Sequence, residues 1–140
     1  MLTLIILLFI PICFLSVESF LHNGKLKKIK HRIYVNGTRG KSSVTRLIAG
    51  ALREGGIRTV AKTTGSSPRF IYPDGSEVLI RRIASPNIKE QIKTIKWAVK
   101  YNPDAVVIEC MALQPYTQWI SDKKMIKSTI GVITNVRSDH

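Results

Sequence analysis

At 140 residues the chain is long enough for one domain with a buried core. Its 22 Lys and Arg against 9 Asp and Glu give a formal net charge of +13, an excess that suits nucleic acid, anionic lipid or an acidic substrate. No zinc finger, basic zipper or aromatic-rich single-strand platform is present, which sets nucleic acid aside as a partner.

Residues 1–21 are almost wholly apolar, from MLTLIILLFIPICFLSV to Phe20 and Leu21. At ~1.5 Å per residue such a run just crosses a thin hydrocarbon core, and Pro11 is tolerated in a membrane helix. A secretory signal carries its basic residues before the apolar run. Here they follow it, at Lys25, Lys27, Lys28, Lys30 and Arg32, which places the N-terminus outside and the remainder in the cytoplasm. The expected division is a membrane anchor over 1–21, a basic juxtamembrane linker over 22–32 holding His22 and His31, and a folded domain over 33–140. The two cysteines, Cys13 and Cys110, lie in apolar runs and read as small buried hydrophobes rather than a disulfide.

Ile33 to Val35 is a short strand candidate ending at a glycine-bearing turn. From Ser42 the series Val44, Leu47, Ile48, Ala51, Leu52 has helical spacing, and Gly55-Gly56 closes it. Ile57 to Ala61 is a second strand, followed by a loop, KTTGSSPR. Phe70–Tyr72 and Val78–Ile80 flank Pro73-Asp74-Gly75-Ser76 as a hairpin. Asn87 can cap a helix with Ile88, Ile92, Ile95 and Val99 on one face and Lys89, Lys93, Lys96 and Lys100 towards water. Asp104 to Cys110 is a buried-strand pattern with Glu109 at its end, and Ile130 to Thr134 is a further strand. This order predicts an α/β fold, a mostly parallel sheet flanked by helices. The chain ends at Asp139-His140 without a closing helix, so the domain is expected to be incomplete.

The strongest chemical signal is YVNGTRGKSS, residues 34–43. Gly37 and Gly40 let backbone N–H groups curl towards a phosphate, Lys41 can reach the terminal phosphates, and the Ser42 hydroxyl can ligate Mg²⁺ at a helix N-terminus. The usual first glycine is replaced by Val35, so this is a shortened P-loop, G-x-x-G-K-S. Glu109 ends a buried strand where nucleotide sites open in such folds, and can hold Mg²⁺; the plainer reading is a strand-end acid facing water. Asp139 and His140, in TNVRSDH, can bind metal or position nucleotide. The cations and hydroxyls of Lys62–Arg69 suit substrate or solvent equally, and Arg81 and Arg82 read best as a wet charged edge.

Together these motifs resemble the Mur-ligase superfamily of ATP-dependent amide ligases. Gly37-Thr38-Arg39-Gly40-Lys41-Ser42-Ser43 matches its phosphate loop, Glu109 in VVIECMA its magnesium-binding strand-end glutamate, and Thr134 to His140 its T-N-x-x-x-D-H segment. The resemblance implies a Mur-ligase central-domain fold binding ATP and Mg²⁺. It makes Gly37 to Ser43 the nucleotide contacts, Ser42, Glu109 and His140 metal ligands, and Lys41, Glu109 and His140 the catalytic set. The apolar leader, N-G-x-R-G-K-S-x-V-T-R-L at 36–47, K-T-T-G at 62–65, P-N-I-x-E-Q at 86–91 and E-C-M-A at 109–112 are similar to the poly-γ-glutamate synthase ligase branch. That branch implies ATP-dependent addition of glutamate to poly-γ-glutamate through an acyl phosphate, with membrane subunits as partners. Superfamily members continue well beyond the D-H segment, so 33–140 alone is expected to be inactive. The alternatives are another Mur-type ligase, folylpolyglutamate-like or cell-wall, a P-loop NTPase regulating a membrane complex, and a non-catalytic assembly fragment.

Overall fold

The computed structural model describes residues 1–82 and 86–137. The elements among these residues follow in chain order, and the sheet they build places every strand end that matters on one edge. The first, α1, is a single helix over Leu2–Lys27. Next come β1 (His31–Asn36), α2 (Lys41–Glu54) and β2 (Thr59–Lys62). The hairpin β3 (Arg69–Ile71) and β4 (Glu77–Leu79) precedes α3 (Glu90–Ala98), which ends in one 3₁₀ turn. β5 (Ala105–Glu109), α4 (Pro115–Ile120), a π-helical segment over Ser121–Ile126 and β6 (Ile130–Ile133) complete the described fold.

The strands form one mixed sheet in the order β4-β3-β2-β5-β1-β6. β1, β2, β5 and β6 are parallel, with β5 between β2 and β1; β3 and β4 are antiparallel. β5 reads Ala-Val-Val-Ile-Glu and is buried at all five positions, as a strand covered on both faces must be. Alternation sends Ile33, Val35, Ala61 and Val107 to one face, under Val44, Ala49, Ile48 and Leu52 of α2. Tyr34, Val60, Val106 and Ile108 face the other way, onto Leu26 and Ile29 near the end of α1, Ile95 and Ala98 of α3, and Ile126. Phe70 stacks on Trp97 at 4.4 Å on the same side.

The α2 helix follows its expected spacing, though Thr45 and Ala49 form its buried line and Leu47 is 71% exposed. It stops as expected at Gly55-Gly56: Gly56 has φ +77, its N–H donates to Arg53 O and that of Ile57 to Leu52 O, which together satisfy the last carbonyls. Asn87 caps a turn rather than α3 itself. Its Oδ1 accepts from Lys89 N, α3 starts at Glu90, and its buried line is Gln91, Thr94, Ile95 and Ala98. Lys89, Lys93, Lys96 and Lys100 do face water.

Two expectations change at the N-terminus. The helix does not stop at residue 21 but runs to Lys27, and His22, Leu26 and Ile29 are buried against the domain. His31 belongs to β1. Cys13 is exposed while Cys110 is buried, because the first five turns of α1 project beyond the domain and Cys13 meets no packing partner there. By length and composition, Ile6–Lys27 is one helix able to cross a membrane.

Candidate functional site

Val35 pairs with Glu109 in the β1–β5 register, so the carboxylate lies one residue short of the turn that leaves β1. Alternation points Glu109 to the α2 face, and there its Oε2 accepts from Ser42 Oγ at 2.8 Å and from the Thr64 backbone N–H at 2.7 Å. Glu109 is buried. A strand-end acid facing water is therefore the wrong description of it: it joins the loops that follow β1 and β2.

The loop itself is shaped by its glycines. Gly37 has φ +131, and a Cβ there would run into Thr134 Oγ1 and Asn135 O; Gly40 has φ +79 and is the residue before α2. The loop is strapped to the segment after β6. Thr38 N donates to Asn135 O, Arg39 N to Asn135 Oδ1, and Thr134 Oγ1 and Asn135 Nδ2 both donate to Arg39 O. Lys41 Nζ donates to Gly37 O at 2.6 Å and Thr38 O at 3.1 Å, so its ammonium lies against the loop it follows. Asn36 Nδ2 donates to Gln118 Oε1, and Gln118 Nε2 donates to Ala112 O and Leu113 O, which fastens the loop after β5 to the end of β1.

The other sheet face supports the same point. Lys62, the last residue of β2, is fully buried and its Nζ donates to Glu90 Oε2 and Gln91 Oε1. Gln91 Nε2 in turn donates to the Glu109 carbonyl at 3.2 Å. Burial pushes the Lys62 amine below its ordinary pKa, with the nearby Glu90 opposing. Burial raises Glu90, but the Arg82 hydrogen bonds and the charges of Lys62 and Arg82 outweigh it and hold its carboxyl below the usual range. Arg82 binds Glu90 through Nε at 2.9 Å and NH2 at 3.1 Å, and its NH1 donates to Gly65 O. So Arg82 is not a wet edge but a strut for the loop after β2; Arg81 is exposed. Burial also pushes the Cys110 thiol up, despite its hydrogen bond with Tyr34.

Three clefts meet around these residues. One of about 560 Å³ is lined by Lys41, Thr64, Arg82 and Glu109; one of about 610 Å³ by Gly37, Lys41, Gln118 and Asn135. The third, about 450 Å³, is lined by Ser42, Arg46, Thr63 to Ser67 and Arg69. Of the expected site residues, Gly37, Thr38, Arg39, Gly40, Lys41 and Ser42 share one loop and helix start, and Glu109 touches Ser42. Ser43 lies on the first turn of α2 and is exposed. His140 and Asp139 lie outside the described residues. No group of three or more His, Cys, Asp or Glu side chains gathers among the described residues. The Ser42 hydroxyl and Glu109 carboxylate are nevertheless hard oxygen donors in mutual contact, a set that fits Mg²⁺, which takes few protein ligands and keeps several waters.

A family model described as the Mur ligase middle domain matches residues 35–140. The chain belongs to this family. The matched stretch begins inside β1 and takes in the glycine loop, Glu109 and the strap after β6. Two curated relatives match over a longer stretch. The chain is 46% identical over 125 residues to the capsule biosynthesis protein CapB of Bacillus anthracis, covering 88% of this chain and 27% of that one. It is 41% identical over 126 residues to the PGA synthase CapB of Bacillus subtilis (strain 168), covering 89% and 32%. The chain thus spans about a third or less of the length of these relatives.

Asn135, Gln118, Gln91 and Lys62 are the site residues that sequence reasoning did not assign. Asn135 lies in the T-N-x-x-x-D-H segment, of which only the Asp-His pair was given a role. The other three are polar side chains whose partners lie far off in sequence.

Proposed function

We propose that this chain carries the phosphate-binding part of an ATP-dependent ligase that adds glutamate to poly-γ-glutamate. The observation that carries the reading is the contact of Ser42 with Glu109, whose other hydrogen bond goes to the Thr64 amide, beside the Gly37–Lys41 loop at the ends of parallel strands. Strand ends of this kind, next to a helix N-terminus, are where phosphates bind in open α/β sheets. The similarity to proteins named for capsule and PGA synthesis supports the polymer as substrate.

In this reading the backbone N–H groups of residues 40–42, at the start of α2, and Lys41 receive the β- and γ-phosphates of ATP. For that, Lys41 Nζ turns from the carbonyls of Gly37 and Thr38 towards the phosphates. A glutamate γ-carboxylate oxygen attacks the γ-phosphorus, the bond to the β-phosphate oxygen breaks, and ADP leaves. The amine of the second glutamate then attacks the acyl carbon, loses a proton and expels phosphate, leaving the γ-amide. Charge on the transferred phosphoryl meets Lys41 and the loop amides. Ser42 and Glu109 would hold Mg²⁺, which would supply positive charge to offset that of the phosphates. His140 is assigned a second magnesium by resemblance alone. Residues 1–21 act as a single membrane anchor, 22–32 as its basic flank and 33–140 as the cytoplasmic ATP-binding part, working with membrane subunits of the synthase.

The test is glutamate-dependent ADP release by membranes carrying the full-length chain and its neighbouring subunits, beside a Lys41→Ala control. Expected are γ-linked product and ADP release that both disappear in the control. ATP turnover indifferent to glutamate, without polymer, overturns the reading.

A further inference from the structure

We propose that the outward face of α4 and the π-helical segment, formed by Tyr116, Trp119, Lys123 and Lys124, seats the domain on an anionic bilayer surface beside α1. This rests on reading α1 as a membrane anchor. The apolar run ends at Leu21, which puts His22 at the level where hydrocarbon gives way to headgroups. His22 Nε2 lies 2.6 Å from Met125 O, so the π-helical segment is held at that same level. Lys124, the neighbour of Met125, has its Nζ 5.5 Å from the centroid of the Trp119 ring, and that ring stacks on Tyr116 at 6.4 Å and 17°. A chain of direct contacts thus leads from the end of the apolar helix to an exposed aromatic pair.

The link is stiff. Arg32 Nε donates to Lys127 O, and its NH1 donates to Leu26 O and Ile29 O, tying the end of α1 and the turn after it to the end of the π-helical segment. Leu26 and Ile29 are buried in the domain core. The helix and the aromatic face therefore keep one mutual orientation, which a flexible linker over 22–32 would not give.

The composition of the face selects its occupant. Trp119 is 51% and Tyr116 70% exposed. Trp and Tyr with lysines are the residues of the membrane–water boundary, where rings lie among headgroups and ammonium groups reach anionic lipid. Protein interfaces, by contrast, are depleted of lysine at their centres. Lys123, Lys124 and Lys127 are exposed here, as are Lys27 and Lys28 at the end of α1, which Arg32 ties to Lys127. The acid among them, Asp122, is occupied by Ser128 and Lys123.

The experiment uses the full chain in nanodiscs of anionic or purely zwitterionic phospholipid brominated near the glycerol backbone. The Trp119 signal is the fluorescence of the parent minus that of Trp119→Phe. Phe14→Trp, made in the Trp119→Phe background, reports on α1. Expected is quenching of both reporters, with the Trp119 component quenched more in anionic lipid and less in Lys123→Glu/Lys124→Glu. Hydrogen exchange over 116–127, slower in anionic than in zwitterionic discs, gives the same answer without a substitution. Quenching of the Phe14→Trp reporter without quenching of Trp119 overturns the seat and leaves the anchor standing. Quenching of neither overturns the anchor reading, and the seat with it. Protection of Trp119 only when partner subunits are co-reconstituted, without lipid quenching, assigns the face to a protein and overturns the seat.

Discussion

Gly37→Ala and Gly40→Ala alter two glycines of one loop and should differ in cost. Both positions have positive φ, but only at Gly37 does an added Cβ meet neighbours, Thr134 Oγ1 and Asn135 O. At φ +131 the backbone strain is about 1–3 kcal/mol, and forcing a methyl into occupied space adds about 1–3 more. The sum is roughly 2–6 kcal/mol. At Gly40 the added Cβ meets nothing within 4 Å, so only the left-handed backbone term of about 1–2 kcal/mol remains. For a domain of this size those figures lower Tm by roughly 6–24 °C and 3–8 °C respectively. Thermal unfolding in detergent measures the difference, and hydrogen exchange over 134–137 shows whether the strain is released by detaching the strap from the loop. Thr134→Ala combined with Gly37→Ala should recover part of the loss, because Asn135 O remains in the way. Equal Tm and equal exchange for the two glycine variants would show that the strap after β6 does not shape the loop, and would refute this account of Gly37.

Glu109→Gln keeps an acceptor for Ser42 and Thr64 but removes the negative charge, so Tm should hold while Mg²⁺-dependent ATP binding falls about 100-fold or more by calorimetry. Undiminished binding would remove Glu109 from the metal site. Gln91→Leu strips an acceptor from the buried Lys62 Nζ and a donor from the Glu109 carbonyl, and urea unfolding should register a loss of roughly 2–4 kcal/mol. Glu90 has a folded pKa below its ordinary value of about 4.3, so its contribution is whole above that pH and is lost as the pH falls through the folded value. Stability measured from about pH 5 to about pH 3 should therefore decline less steeply in Glu90→Gln. Lys62 has the opposite sign: its amine pKa is lowered on folding, so its contribution favours the folded state increasingly as pH rises towards about 10.4.

What sequence could deliver depended on whether the partner was local. The strand at 33–35, the glycine stop at 55–56, the hairpin around Pro73-Asp74-Gly75-Ser76 and the apolar run of β5 before Glu109 each carry their signal within a few residues, and each is present. Residues 113–129 gave no reading, because Leu113, Tyr116 and Trp119 point outward and leave no apolar period to detect. The end of α1 was misplaced for a related reason. Its polar and basic residues after Leu21 look like a linker, while the contacts that make it helical and fixed come from Met125 and Arg32. Lys62 looked like a rim cation because its partners Glu90 and Gln91 lie nearly thirty positions away.

These distant partners also explain how one acid can serve the site. Glu109 sits where two parallel strands end, and a carboxylate buried there must be satisfied or it destabilises the sheet. Its side chain is satisfied by Ser42 and Thr64 on the α2 face; its carbonyl is satisfied by Gln91 on the α3 face. The Lys62 amine then holds Gln91, Glu90 holds Lys62, and Arg82 holds both Glu90 and the Gly65 carbonyl. The loop after β2 is thereby fixed at Thr64 through Glu109 and at Gly65 through Arg82. A cation held by the Ser42 oxygen and the Glu109 carboxylate together would turn the Ser42 O–H away from Oε2, and the Thr64 amide is then the bond that keeps the carboxylate in place. Thr64→Pro, which removes that N–H, should therefore weaken Mg²⁺-dependent ATP binding more than Ser66→Pro in the same loop, and equal effects would mean that the amide does not position Glu109.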